Sequence, residues 1–149
     1  MMRFLMLEIR KFRVEDYFEI ERRKFDMLTF LNFPNPKAIA ANLARGKAFT
    51  MVNGENIIAS GGILPLWKGV GEAWIVSSDL VKHHWLSFAR AVLLNLKKME
   101  PEFERVQTTV DVDHTTSINW VEWMGFRKEG LMKKFIGGRD YWRYARIRS

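Results

Sequence analysis

The side chains able to move a proton or hold a ligand are few and scattered. Cysteine is absent, which excludes a thiolate nucleophile, thiolate zinc sites, iron–sulfur clusters and disulfides together. The three histidines are His83, His84 and His114. Neighbours on a helix point ~100° apart, so His83 and His84 do not chelate one ion between them, and no metal site is expected. The carboxylates with a chemical reading are Glu72, Asp111 and Asp113, and the phenols are Tyr141 and Tyr144. A carboxylate whose surroundings raise its pKa can take a proton from an ammonium group, and a phenol can give one. Each also has a structural reading. Glu72 can be a solvent-facing strand residue, Asp113 a turn or capping residue, and the tyrosines the packing of an aromatic strand.

The elements that must position these groups follow from the pattern of the chain. Residues 5–11 alternate as a short strand. Val14, Tyr17, Phe18 and Phe25 fall on one helical face, with Glu15, Asp16 and Glu19 early, where a helix dipole favours negative charge. A second helix is capped by Asn35, opened by Pro36 and ended by Gly46. Strands over 47–52 and 56–64 flank Asn53-Gly54, a hairpin signal, and Gly61-Gly62 marks a bulge or a close backbone approach. Residues 71–77 form another strand. A long helix then carries Trp85, Phe88, Ala89, Val92, Leu93, Leu96 and Met99 on its apolar face and stops at Pro101. A strand alternates through Val106, Thr108, Val110 and Val112, and a short helix runs from Thr115 or Thr116 to Gly125. Two last strands, over 126–135 and 139–147, meet at Gly137-Gly138. The order βααβββαβαββ predicts an α/β (α+β) mixed sheet in a single domain over 1–149, with at least one helical crossover between parallel strands.

Composition narrows the function classes. The chain has 149 residues, 48% hydrophobic and 28% charged, as a globular domain does. No apolar run approaches the ~20 residues of a membrane span, and the opening residues make a poor secretory signal, so a cytoplasmic protein is expected. The 24 Lys+Arg exceed the 17 Asp+Glu by a net +7, a field that attracts nucleic acid, acidic protein or a phosphorylated cofactor. No recognition-helix, zinc-finger or aromatic RNA-binding motif accompanies it, which argues against nucleic acid. Trp85 is expected in the core. Trp120 and Trp123, three apart, share one side and either seal the sheet or stack a ligand. Trp67, in a loop over 65–69, is placed for contact with a partner. The apolar stretch 26–33 either lines a cleft, packs against a second subunit or belongs to the core, so oligomeric state stays open.

The element order, together with the segment from His114 to Gly125-Phe126, resembles the GCN5-related N-acetyltransferase (GNAT) family over nearly the whole chain. In that family a helix beside the acyl-coenzyme ends in a Gly-Phe turn that opens the next strand. Three short stretches, over 59–62, 74–79 and 125–144, are similar to a phage-type branch that includes internal virion proteins of podophages. The resemblance implies acetyl-coenzyme A as cofactor and an amine, on a small molecule or a protein, as acceptor. It makes Glu72 the candidate base, and it sets Trp74, Val76, Lys82, His83, His84 and His114 against the coenzyme.

Two positions depart from the family pattern. The stretch over 81–86, where the family has a glycine-rich pyrophosphate loop, contains no glycine, so Lys82, His83 and His84 offer side-chain contacts or form an ordinary basic first turn. The tyrosine that the family places four residues before the glycine of its Gly-Phe turn is Val121 here, which donates no proton. The equivalent of a family asparagine is His114. Two functions therefore stand side by side: acyl transfer from acetyl-coenzyme A to an amine, and a non-catalytic assembly or host-protein-binding module, in a virion if phage-encoded.

Overall fold

The computed structural model describes residues 7–148, so the first two positions of the strand expected over 5–11 lie outside the described residues. The elements are β1 (Leu7–Lys11), α1 (Val14–Glu19), α2 (Lys24–Asn32), α3 (Pro36–Arg45), β2 (Lys47–Asn53), β3 (Asn56–Trp67), β4 (Val70–Ser77), α4 (Trp85–Met99), β5 (Arg105–Asp111), α5 (Thr115–Trp123), β6 (Arg127–Ile136) and β7 (Arg139–Ile147), with short 3-10 turns flanking α4. They build one seven-stranded sheet in the order β1-β2-β3-β4-β5-β7-β6. Every neighbouring pair is antiparallel except β4 and β5. That parallel pair is the one joined by a helical crossover, α4, because parallel strands cannot be linked by a tight turn.

The punctuation read from the sequence holds at most ends. The Asn35 side chain accepts from the Ala38 amide at 3.2 Å, Pro36 opens α3, and Gly46 follows its last turn. Gly62 is the close approach: a Cβ there would lie 2.2 Å from the Lys47 carbonyl oxygen. The bulge in this hairpin sits elsewhere, where the β2–β3 register shifts between Met51 and Val52. Gly125 takes φ +91 after α5, a conformation that side chains resist, and turns the chain into β6.

Strand alternation gives β4 two faces. Trp74 and Val76 pack with Phe12, Tyr17, Ala40 and Leu43 beneath α1 and α3. Ala73 and Ile75 pack into the larger core with Phe88, Val92, Leu96, Val121 and Met124 from α4 and α5. Helices therefore cover both faces of the sheet around β4. No helix among the described residues is long and apolar enough to cross a membrane.

Three expectations are corrected. The region between β1 and β2 holds three helices, not two, so the order is βαααβββαβαββ. The chain leaves α1 at Ile20 and is extended there, and Arg22 makes a bridge to Ser78 before α2 begins. Trp85 is 60% exposed, because it is the first residue of α4 and projects beyond the core that Phe88 and Val92 fill. Trp67 lies in β3, paired with Val70, rather than in a loop, although it is 66% exposed. Trp120 and Trp123 keep the common side expected of them but differ in burial: Trp120 stacks on Phe88 at 4.8 Å, and Trp123 is exposed.

Candidate functional site

The feature that organises the site is a splay in the middle of the sheet. β4 and β5 pair only through Val70, Gly71 and Glu72 against Arg105, Val106 and Gln107. Beyond them the strands diverge. Ala73, Ile75 and Ser77 turn their main-chain groups toward the gap, since alternate residues of a strand share an edge. The Ala73 carbonyl accepts from the Thr108 hydroxyl at 2.9 Å. Ser77 is closed by the start of α2: its amide donates to Asp26 at 3.0 Å and its carbonyl accepts from the Arg23 amide at 3.0 Å. Ile75 lies between them, and its amide and carbonyl are the open rung of the splay.

A cavity of about 1260 Å³ passes through this splay, lined on one side by α4 and α5 and on the other by α2 and α3. Of the candidate bases, proton donors and coenzyme contacts singled out from the sequence, Glu72, Asp111, Tyr141, Trp74, Val76, Lys82 and His114 line it. His83 and His84 are not in its wall. The side chains of Trp74 and Val76 lie on the α1–α3 face, so what β4 offers the opposite face is its backbone and the side chains of Ala73 and Ile75.

On the α4–α5 side the wall is apolar with basic edges. Ala89, Trp120 and Trp123 form it, and Lys82 and Arg90 stand at its rim. The glycine-free stretch over 81–86 is a 3-10 turn (Asp79–His83) followed by the first turn of α4. No side chain caps α4, so its first amides are free of side-chain partners, and such a terminus attracts anions. Lys82 also makes an exposed ion pair with Asp79 at 3.5 Å. His114 sits at the start of α5, its ring stacked on Phe25 at 4.3 Å and its Nε2 3.2 Å from the Ser117 hydroxyl. Burial, reinforced by the nearby Arg23 charge, holds its pKa below the usual histidine value, so the ring is neutral at physiological pH.

On the α2 side lie four acids with different fates, three of them in the cavity wall. Both oxygens of Glu72 accept from Arg143, at 3.1 and 3.2 Å, and one also accepts from Gln107 at 3.0 Å. Asp111 is buried and held by two bonds from Arg139 and one from the Asp113 amide. Burial, the largest single influence, would raise its carboxyl, but the Arg139 bonds, the Asp113 amide and the nearby positive charge together outweigh it and hold the carboxyl below the ordinary aspartate value. Asp113 is exposed and shares Arg139 at 2.9 Å. Asp26 is the third acid in the cavity wall. Only its Oδ2 has partners among the described residues, the Ser77 amide and hydroxyl, and burial pushes its carboxyl above the ordinary aspartate value. Sequence reasoning passed over Asp26. Its signal was available: one acid at the head of the apolar run 26–33, where a core helix has no use for a charge.

The tyrosines divide in the same way. Tyr141 lines the cavity with its hydroxyl 3.4 Å from that of Thr29 on α2. Tyr144 is fully buried outside the cavity wall and donates to Glu122 at 2.6 Å, which ties β7 to α5. Burial and the Glu122 carboxylate push its phenol well above the usual tyrosine value, so it is a structural pin. Val121 is buried in the core.

No protein-family model and no curated protein sequence matches the chain. Solved structures do. A GNAT-family acetyltransferase from Bacillus anthracis superposes with a TM-score of 0.68 at 19% identity, covering 95% of this chain and 94% of that one. The ribosomal-protein-S18-alanine N-acetyltransferase of Escherichia coli gives 0.69 at 16% identity, over 95% and 94%. Spermidine N-acetyltransferase from Vibrio cholerae, solved in complex with CoA and spermine, gives 0.67 at 16% identity, over 95% of each chain. A mixed seven-stranded sheet splayed between β4 and β5, with helices on both faces and these structural relatives, has the fold of the GNAT acetyltransferases.

Proposed function

We propose that this protein transfers an acyl group from an acyl-coenzyme A, acetyl-coenzyme A in the first instance, to an amine. The observation that carries the reading is the open rung at Ile75 inside a cavity that reaches both faces of the sheet. Such a passage lets a thioester and an amine approach one point from opposite sides, which is the positioning an acyl transfer needs. The residues present fit the coenzyme. The Ile75 amide and carbonyl match an amide-bearing chain, and the uncapped start of α4 with Lys82 suits a pyrophosphate. Neutral His114 can hydrogen-bond an amide. His83 and His84, exposed and half-buried beside that turn, contribute at most from its outer edge. The coenzyme supplies an activated acyl group on a sulfur that leaves as a thiolate.

The amine must lose a proton before it attacks, and two carboxylates meet that requirement. Glu72 is expected from the sequence and lies in the cavity wall, but both its oxygens are committed to Arg143. Asp26 has one oxygen free of partners among the described residues and a raised pKa, the condition under which a carboxylate is a useful base. We assign the base to Asp26 and give Glu72 the role of fixing Arg143 and Gln107 beside the splay. Tyr141, hydroxyl toward α2, is the phenol in reach of the cavity.

The second reading, a non-catalytic module of the phage-type kind, draws support from Val121, which cannot protonate a leaving group, and from the closure of Ser77 by α2. A thiolate leaves without protonation far more readily than an amide nitrogen does, so Val121 slows acyl transfer rather than forbidding it. Thiol release from acetyl-coenzyme A in the presence of a mixed-amine panel separates the two readings. Because the chain has no cysteine, a thiol-reactive dye reads the product with no protein background. Amine-dependent release supports transfer. Its absence with every amine, at coenzyme concentrations that saturate, favours the module.

A further inference from the structure

The charges on the α2 side of the cavity specify the acceptor beyond its being an amine. Each acid there that would welcome a polycation is already engaged: Glu72 by Arg143, Asp111 by Arg139, and one oxygen of Asp26 by Ser77. Arg22 is different. Its guanidinium lies over the ring of Phe30 at 4.0 Å and the ring of Tyr17 at 4.5 Å, donates to the Tyr17 carbonyl, and has no carboxylate partner among the described residues. It is half-buried and lines the cavity. An arginine seated over two adjacent rings, whose centroids are 5.7 Å apart, is held in place while most of its donors stay unused, and those donors form a fork shaped for a carboxylate or phosphate. Asp26 and Phe30, four apart, share a side of α2, and Arg22, in the extended segment just before it, reaches that side through its contact with the Phe30 ring and lines the same cavity.

We infer that the acceptor carries an anionic group near its amine, as an amino acid does, and that Arg22 binds that anion while the amine lies toward Asp26. The inference rests on the acyl-transfer reading but concerns only the acceptor side. It also sets this chain apart from its spermidine-acetylating structural relative, since a polyamine would meet Arg22, which no carboxylate pairs among the described residues, and would find Glu72 and Asp111 already held by arginines.

The test uses aspartate, its diamide (which keeps the amine but has no carboxylate) and spermidine as amine probes, in two arms. Thiol release is measured with acetyl-coenzyme A, and binding of each amine to the protein alone is followed by amide chemical shifts. Aspartate is expected to exceed its diamide by about 10–100-fold in kcat/KM, the range of one hydrogen-bonded charge, and to outbind both alternatives without coenzyme. Arg22→Ala should abolish that preference through KM, with kcat little changed, and Arg22→Lys should restore part of it. Thermal melts establish that each variant is folded; should Arg22→Ala not fold, the comparison of Arg22→Lys with Arg22→Gln decides in the same way. Spermidine binding or reacting better than aspartate, or a folded Arg22 variant that keeps the full preference, overturns the inference. If the coenzyme does not bind but aspartate does, in an Arg22-dependent way, the anion site stands and the acyl-transfer reading falls.

Discussion

Asp26→Asn separates catalysis from folding at one position. The two bonds to Oδ2, from the Ser77 amide and hydroxyl, survive the change, because an amide oxygen accepts both. Oδ1 has no partner among the described residues, so the new amide nitrogen displaces none. What changes is the charge. The Asp26 carboxyl is raised by burial, ahead of the Ser77 bonds and the nearby arginines, which pull the other way. The folded protein therefore keeps a proton that the unfolded chain has already released. Stability falls as pH rises from the unfolded carboxylate range through the folded pKa, then stays level. Asparagine removes that loss. We expect Asp26→Asn to raise stability at neutral pH by about 1 kcal/mol, a typical gain at a site strained for function. For a chain of this size that is about 2–4 °C in Tm. Between pH 4 and 7 the variant's Tm should gain on the parent's as pH rises. Loss of the base should lower kcat by about 100-fold or more, read by thiol release. A variant that melts several degrees lower and turns over at the parent rate would refute both halves of the reasoning.

Other positions give independent checks. Glu72→Gln keeps the shape beside Arg143 and Gln107, so kcat should fall by less than about tenfold, well short of a lost general base; a drop matching that of Asp26→Asn would return the base to Glu72. Asp16 is buried and takes two bonds from Arg10, one from Thr50 and one from the Arg13 amide. Burial opposes its charge, yet Arg10 and the other donors hold its carboxyl below the ordinary range, so its contribution is complete above the unfolded pKa and is lost as pH falls through the folded one. Asp16→Ala should cost about 3 kcal/mol, the lower end for a broken buried pair, or about 6–12 °C in Tm at pH 7. Gly62→Ala sets a methyl 2.2 Å from the Lys47 carbonyl oxygen and should destabilise by about 2 kcal/mol or more in chemical denaturation.

Most of the frame was legible because its signals are local. Asn35-Pro36, Asn53-Gly54, Pro101 and Gly125 each constrain φ or remove a donor, and each stands at an element end. The break between α1 and α2 has no such mark. Residues 20–23 contain neither glycine nor proline, and what extends them is a distant partner, the bridge from Arg22 to Ser78 and the Arg23 bond to Ser77. That one break decides the candidate site, since it presents Arg22 and Asp26 to the cavity. Glu72 was legible as an acid on the right strand, but its engagement by Arg143 depends on β7 lying two strands away in the sheet, with β5 between. Trp85 shows the same limit: its spacing suits the apolar face of α4, but the first position of a helix reaches past the core.

The central claim is that an acyl-coenzyme lies in the splay between β4 and β5. Titration of the nitrogen-15-labelled protein with acetyl-coenzyme A, followed by amide shifts, tests it at the rung itself. The account predicts saturable binding in the micromolar range, with the largest shifts at Ile75 and at the first amides of α4, and little change in β1 and β2. Ile75 unmoved at millimolar coenzyme, or shifts confined to the basic surface, would contradict it.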